Sequence, residues 1–146
     1  MSQLVKFTVA IAMLAGEGNA HLLSSDTRAE ADDGETLRLV VEVCRHGERA
    51  PKEIFPIAEN PEDNFEIPYN LTMTGAEHHY ALGQSLRKHY IEDRALLNSD
   101  YNPNEVYIQT TSVQRTLDSA RSQLDGLYDR PLQWPSVDEL FQLNTI

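Results

Sequence analysis

Cysteine is nearly absent from this chain of 146 residues. Cys44 stands alone, so no intrachain disulfide can form and no thiolate cluster can hold a metal. Positive charge is also scarce, with 12 Lys and Arg against 23 Asp and Glu, a net charge of −11 and a pI near 4.7. That balance excludes the general basic footprint by which proteins follow nucleic acid or an anionic membrane. No nucleic-acid partner is expected, and any anion must be captured by a local cluster against the long-range field. Long hydrophobic runs are missing too. The longest, Phe7 to Ala15, is too short to span a bilayer, so no stable membrane insertion is expected. No histidine follows His89.

What the N-terminus does contain is the pattern of an export signal. Lys6 precedes the apolar run, and Gly18-Asn19-Ala20 ends it with small residues suited to cleavage. Residues 1–20 are therefore read as a signal peptide, with Glu17 as an unusual acid just before the cut. Residues 21–36 are read as an acidic linker. Its stretch from Ser24 to Thr36 carries five acids, one base and no bulky apolar residue, a composition that stays solvated. The folded domain is expected over residues 37–146.

Leu37 to Cys44 is a nearly continuous aliphatic run, as in a strand buried on both faces of a parallel sheet. Glu42 interrupts it and is expected at the sheet's edge or against an arginine. Residues 50–70 are loop, punctuated by Pro51, Pro56, Pro61 and Pro68. Thr74-Gly75-Ala76-Glu77 has capping-box spacing and predicts a helix to about Asp93, with Ala76, Tyr80, Gly83, Leu86 and Tyr90 on its buried stripe. After a turn at Asp100–Asn104, Glu105–Thr110 reads as a second strand. A second helix follows, capped by Ser112, with Val113, Leu117, Ala120, Leu124 and Leu127 facing inward. Strand, helix, strand, helix gives an α/β fold: the N-terminal portion of a mostly parallel sheet with flanking helices, incomplete because two strands make a poor sheet. The two strands are expected parallel and adjacent.

In such a sheet, ligands bind beyond the carboxyl ends of the strands. Arg45, His46 and Arg49 of Arg45-His46-Gly47-Glu48-Arg49-Ala50-Pro51 fall at that end of the first strand, and Arg115 at that end of the second. A cation in the first turn of a helix opposes the macrodipole unless an anion lies between. Three guanidiniums around one imidazole suit a phosphoryl group, with forked donors for its oxygens and a neutral ring to attack phosphorus.

These residues resemble the R-H-G-x-R-x-P signature of the histidine acid phosphatase family, within the histidine phosphatase superfamily. Leu71-Thr72-x-x-Gly75, His79-Tyr80-x-Leu82-Gly83-x-x-Leu86-Arg87 and Thr111-Ser112-x-x-Arg115-Thr116-x-x-Ser119-Ala120 extend the resemblance, in order, across residues 37–146. It implies a phosphoglycerate mutase-like fold, His46 as the nucleophile that becomes phosphohistidine, and Arg45, Arg49 and Arg115 as phosphate ligands. It also implies that Gly47 lets the backbone approach and that Pro51 stiffens the loop. A small phosphate monoester is the implied substrate, with no cofactor and no metal. Family members run well over twice this length and carry a late His-Asp or His-Ala-Glu motif that supplies the proton donor. The motif is absent here, so the chain looks like the N-terminal part of such an enzyme.

Two readings follow: an acid phosphatase, exported to the outside or to a lysosomal or vacuolar lumen, or a catalytically inactive fragment that only binds phosphate or phosphoesters. A cysteine phosphatase loop does not fit, because Arg49 lies five rather than six positions after Cys44. The mutase branch continues with a small hydroxyl residue and an asparagine after Arg-His-Gly-Glu, where this chain has Arg49 and Pro51. Asn70-Leu71-Thr72 is a possible N-glycosylation site. Cys44 reads as an inert buried residue, Trp134 as packing, and His78, His79 and His89 as surface or packing residues.

Overall fold

A computed structural model of the chain describes residues 8–14, 37–52, 68–133 and 140–146. Its elements in chain order are β1 (Thr8–Leu14), β2 (Leu39–Arg45), α1 (Met73–Arg87), a π-helical turn (Lys88–Glu92), β3 (Val106–Thr110), α2 (Gln114–Leu127) and β4 (Leu143–Thr145). The linker at 21–36, Pro56, Pro61 and Trp134 lie outside the described residues.

The four strands form one sheet in the order β2-β1-β3-β4. β1 runs antiparallel to both neighbours, pairing Thr8 with Arg45 and Leu14 with Leu39 on one side and Ala10 with Gln109 on the other. β4 lies parallel to β3, Ile108 opposite Leu143. Three strands therefore share one direction, and the α/β class with a mostly parallel strand direction holds. The expected adjacency of β2 and β3 does not, because β1 is inserted between them. A short apolar run carries no period that separates a leader from a sheet strand, so its place in the sheet was not legible.

β2 was expected to be buried on both faces. It instead alternates: Val40 and Cys44 pack toward the core, while Leu39, Val41 and Val43 are 46%, 62% and 65% exposed. That is the period of a strand covered on one face only. Glu42 is on the edge strand, as one expectation had it, but its Oε2 accepts from Gln123 Nε2 at 2.5 Å rather than meeting an arginine.

α1 begins two residues earlier than the capping box suggested. Thr72, in extended conformation, is the N-cap and its Oγ1 accepts from Gly75 N at 3.1 Å. Thr72 wins because its amide also donates to the Glu48 carbonyl at 2.9 Å, which fixes the chain's entry into the helix. Gly75, Ala76, His79 and Gly83 are buried along α1, and Tyr90 in the π-helical turn that follows. At α2 the N-cap is Val113 rather than Ser112, with no side-chain cap bond. Thr116 Oγ1 instead donates back to the Val113 carbonyl at 2.6 Å.

α2 is covered on almost every side, with 11 of its 14 residues buried, although its sequence is largely polar. The burial is possible because its hydroxyls bond their own helix: Ser119 Oγ donates to the Arg115 carbonyl at 2.6 Å and Ser122 Oγ to the Asp118 carbonyl at 2.8 Å. Buried polar groups cost little when so satisfied. Leu124, Leu127, Ile108 and Leu37 form the apolar centre beside it, closed at one end by Tyr101, Tyr128 and Phe141, whose ring centroids lie 5.1–6.1 Å apart.

α1 and α2 cross at two glycines. A Cβ on Gly83 would strike the Gln123 carbonyl, and one on Gly126 the Tyr80 carbonyl. Backbone cannot swing aside as a side chain can, so overpacking there costs about 1–3 kcal/mol. Gly83→Ala is expected to lower the urea midpoint by that amount of stability, whereas Gln84→Ala on the exposed face shifts it by less than about 0.5 kcal/mol.

Candidate active site

Arg45 is the last residue of β2, and the turn after it is clamped from two directions. Residues 48–51 pair with 69–72: Ala50 N donates to the Asn70 carbonyl at 2.8 Å, Tyr69 N to the Pro51 carbonyl at 3.3 Å, and Arg49 bridges to Leu71. On the other side, Gly47 N donates to Ser119 Oγ of α2 at 3.0 Å. Gly47 also presses on the first turn of α1, where a Cβ would come within 2.6 Å of the Gly75 carbonyl. Only a residue without a side chain permits that approach.

An open pocket results, lined by Arg45, His46, Gly47, Glu48, Arg49 and Pro51. Arg115, in the first turn of α2, is not part of that lining but lies close enough for its charge to act on the His46 ring. It is 7% exposed and His46 8%. The structure thus brings together Arg45, His46, Arg49 and Arg115, the four residues singled out from the sequence, and the three arginine charges all act on the His46 ring. The Arg49 and Arg115 guanidiniums also lie 4.9 and 5.5 Å from the centroid of one ring, that of Tyr69.

His46 Nδ1 is 2.8 Å from the Gly47 carbonyl. A carbonyl only accepts, so Nδ1 carries the proton and the neutral ring leaves Nε2 with its lone pair. Burial holds the His46 pKa below its ordinary value. The Gly47 carbonyl works against that shift, and the guanidiniums of Arg115, Arg45 and Arg49 reinforce it. Arg115 is itself drawn downward, first by burial and then by Arg49. This crowding of like charge within an acidic chain is complementary to an anion.

Behind the pocket lies a polar chain that the sequence reading did not identify. Gln123 joins β2 to α1: its Nε2 donates to Glu42, while its Oε1 meets His79 Nδ1 at 3.1 Å and the Cys44 thiol at 3.6 Å. The His79 ring also engages the backbone of Arg45, so this chain ends directly beneath the turn that carries His46. Burial, helped by Glu42, pushes the Cys44 thiol up to about 12, which makes it a poor nucleophile at ordinary pH. His78 and His89 are exposed, and His79 is a packing residue. Among the described residues no group of three His, Cys, Asp or Glu is arranged to hold a metal ion. Ser119 and Tyr69 were also missed. Ser119 had a legible signal, lying one helical turn after Arg115 and so on the same face.

A sequence profile described as the histidine phosphatase superfamily, branch 2, matches residues 36–144. Lysosomal acid phosphatase of Xenopus laevis is 40% identical over 102 residues, covering 69% of this chain and 22% of that protein. Prostatic acid phosphatase of Homo sapiens is 41% identical over 93 residues, covering 63% of this chain and 23% of that protein. Lysophosphatidic acid phosphatase type 6 of Bos taurus is 45% identical over 67 residues, covering 46% of this chain and 16% of that protein. The matched region spans less than a quarter of each of these relatives. The profile match runs from just before Leu37 through the pocket and both helices into β4, and on that match the chain belongs to branch 2 of the histidine phosphatase superfamily, the histidine acid phosphatase family.

Proposed function

We propose that this chain carries the nucleophile and phosphate cradle of an acid phosphatase that hydrolyses phosphate monoesters through a phosphohistidine on His46. The observation that carries this reading is the hydrogen bond from His46 Nδ1 to the Gly47 carbonyl, which leaves Nε2 unprotonated among three guanidiniums. Nε2 attacks phosphorus as the ester P–O bond breaks, and the departing oxygen takes a proton from solvent water. Water then attacks the phosphoryl group, the P–N bond breaks, and inorganic phosphate leaves with the imidazole restored. Arg45, Arg49 and Arg115 neutralise the charge on the phosphoryl oxygens throughout.

The names of the relatives, lysosomal and prostatic acid phosphatase, support a phosphate ester substrate and an exported or lysosomal setting. No described helix is long and apolar enough to cross a membrane. Residues 1–20 act in this reading as a cleaved leader and 21–36 as a linker. In this reading cleavage removes β1, the strand that lies between β2 and β3. Protein secreted from a eukaryotic host is expected to begin near His21, and N-terminal sequencing that finds Thr8–Leu14 retained would overturn this.

A second reading, phosphate binding without turnover of ordinary esters, is favoured by one feature of the pocket. Among its described lining residues Glu48 is the only carboxylate, and its Oε1 already accepts from Thr72 Oγ1 at 3.0 Å. A general acid is worth about 10²–10⁴ in rate when the leaving group is an alkoxide, and far less when it is an activated phenolate. The 146-residue chain is therefore expected to be nearly inactive on alkyl phosphates and weakly active on an activated aryl phosphate. His46→Ala should abolish that activity and the labelled phosphohistidine trapped by rapid alkaline work-up. Labelling that survives His46→Ala would reject the nucleophile assignment.

The protonation of His46 supplies a further test. Its folded pKa lies below the ordinary value, so the attacking neutral ring persists into the acid range and is lost only as pH falls through the lowered value. The folded state then binds fewer protons than the unfolded one, and stability falls over the same window. In NMR titration the His46 ring is expected to titrate below 6.5. Arg115→Gln should raise that midpoint by removing the charge with the largest effect of the three; an unchanged midpoint would reject the electrostatic account.

A further inference from the structure

Tyr69 has a backbone φ of 69°, in the left-handed region that residues with a Cβ seldom enter and that glycine enters freely. The surrounding chain enforces it. Tyr69 N is bonded to Pro51, Asn70 O to Ala50, and Leu71 is bridged to Arg49. A non-glycine residue kept in such a conformation beside a binding site is grounds to ask what its side chain does.

Among the described residues its ring is the one group within cation–π range of two of the site's arginines. Arg49 Cζ is 4.9 Å and Arg115 Cζ 5.5 Å from the centroid. These two guanidiniums come from different elements, one from the turn after β2 and the other from α2, and they repel each other. The negative face of an aromatic ring attracts a cation, and Tyr69 does so for both at once. Arg49 is tethered further by Nη1 donating to the Ala50 carbonyl at 2.8 Å. Held in this way, the pair does not have to be assembled when an anion arrives, which lowers the cost of binding.

We propose that Tyr69 is a positioning residue for phosphate, its ring holding Arg49 and Arg115 together at the pocket before the anion binds. This rests on the phosphate site proposed above. The side chain is retained at the expense of backbone strain that a glycine would relieve, so stability and affinity should move in opposite directions when it is removed.

The test is calorimetric titration of the full chain with inorganic phosphate at fixed ionic strength, alongside thermal unfolding. Tyr69→Gly is expected to bind phosphate about tenfold more weakly, the loss of two cation–π contacts, while its melting temperature stays level or rises. Tyr69→Asn, which also tolerates the left-handed region, should lose affinity to the same extent and serves as the second variant if the glycine substitution impairs folding. Tyr69→Phe keeps the ring and should bind within about twofold of the parent. Unchanged affinity in both the glycine and asparagine variants overturns the proposal. Equal losses in the phenylalanine variant would assign the effect to the hydroxyl and overturn it as well. A parent chain that binds phosphate but hydrolyses no ester would sink the phosphatase reading and leave this comparison standing, whereas a parent chain that binds no phosphate would sink both.

Discussion

The hydroxyl of Ser119 joins the two halves of the site. It accepts the Gly47 amide at 3.0 Å and donates to the Arg115 carbonyl at 2.6 Å, so one oxygen ties the turn that carries His46 to the helix turn that carries Arg115. Both of its hydrogen-bonding roles are used, and it is fully buried. Other constraints converge on the same place. The glycine contact between Gly47 and Gly75 sets how closely the turn lies against α1, and the pairing of 48–51 with 69–72 keeps the arginines from drifting outward. A 1 Å displacement in such a constellation is enough to lose a phosphoryl cradle, because forked hydrogen bonds depend on geometry as well as charge.

Electrostatics gives that geometry its sense. The chain as a whole is strongly acidic, yet three guanidiniums act on one imidazole whose pKa burial and those charges hold below its ordinary value. The like charges oppose one another: Arg115 is drawn below its ordinary range by burial and by Arg49. An anion relieves the repulsion, and an uncharged imidazole beside it has a lone pair to offer. The same substitution of environment explains why Cys44, one residue before Arg45, takes no part. Its thiol faces inward toward Gln123 and the Glu42 carboxylate, where a thiolate is disfavoured.

Sequence and structure agree most where the signal is local and strong. The apolar run before Arg45 formed a strand, the stripe from Ala76 to Tyr90 marked a helix and its π-helical continuation, and the polar face carrying His78 and Lys88 stayed in solvent. Disagreement appeared at element ends and in burial. Thr74 and Ser112 had good capping chemistry, but Thr72 took the first cap through its bond to Glu48, and Val113 stands at the second without a side-chain bond. The nearly continuous aliphatic run of β2 suits a doubly buried strand, whereas the packing covers one face. α2 reads as amphipathic and is instead surrounded, which its sequence permits only because Ser119 and Ser122 satisfy themselves within the helix.

The sequence by itself determined the α/β order, the placing of Arg45, His46 and Arg49 at a strand's carboxyl end, and the kinship that the order of motifs conveys. Each depends on residues close together in the chain, where periodicity and turn chemistry act directly. The tertiary structure alone decided that Thr8–Leu14 is paired between β2 and β3. It also decided that Gln123 links Glu42 to His79, and that Tyr69 stands against Arg49 and Arg115. Gly47 and Ser119 are 72 residues apart. No local pattern encodes such a meeting, because it depends on where the whole backbone path has carried two segments and on which polar groups are then left to satisfy each other out of water.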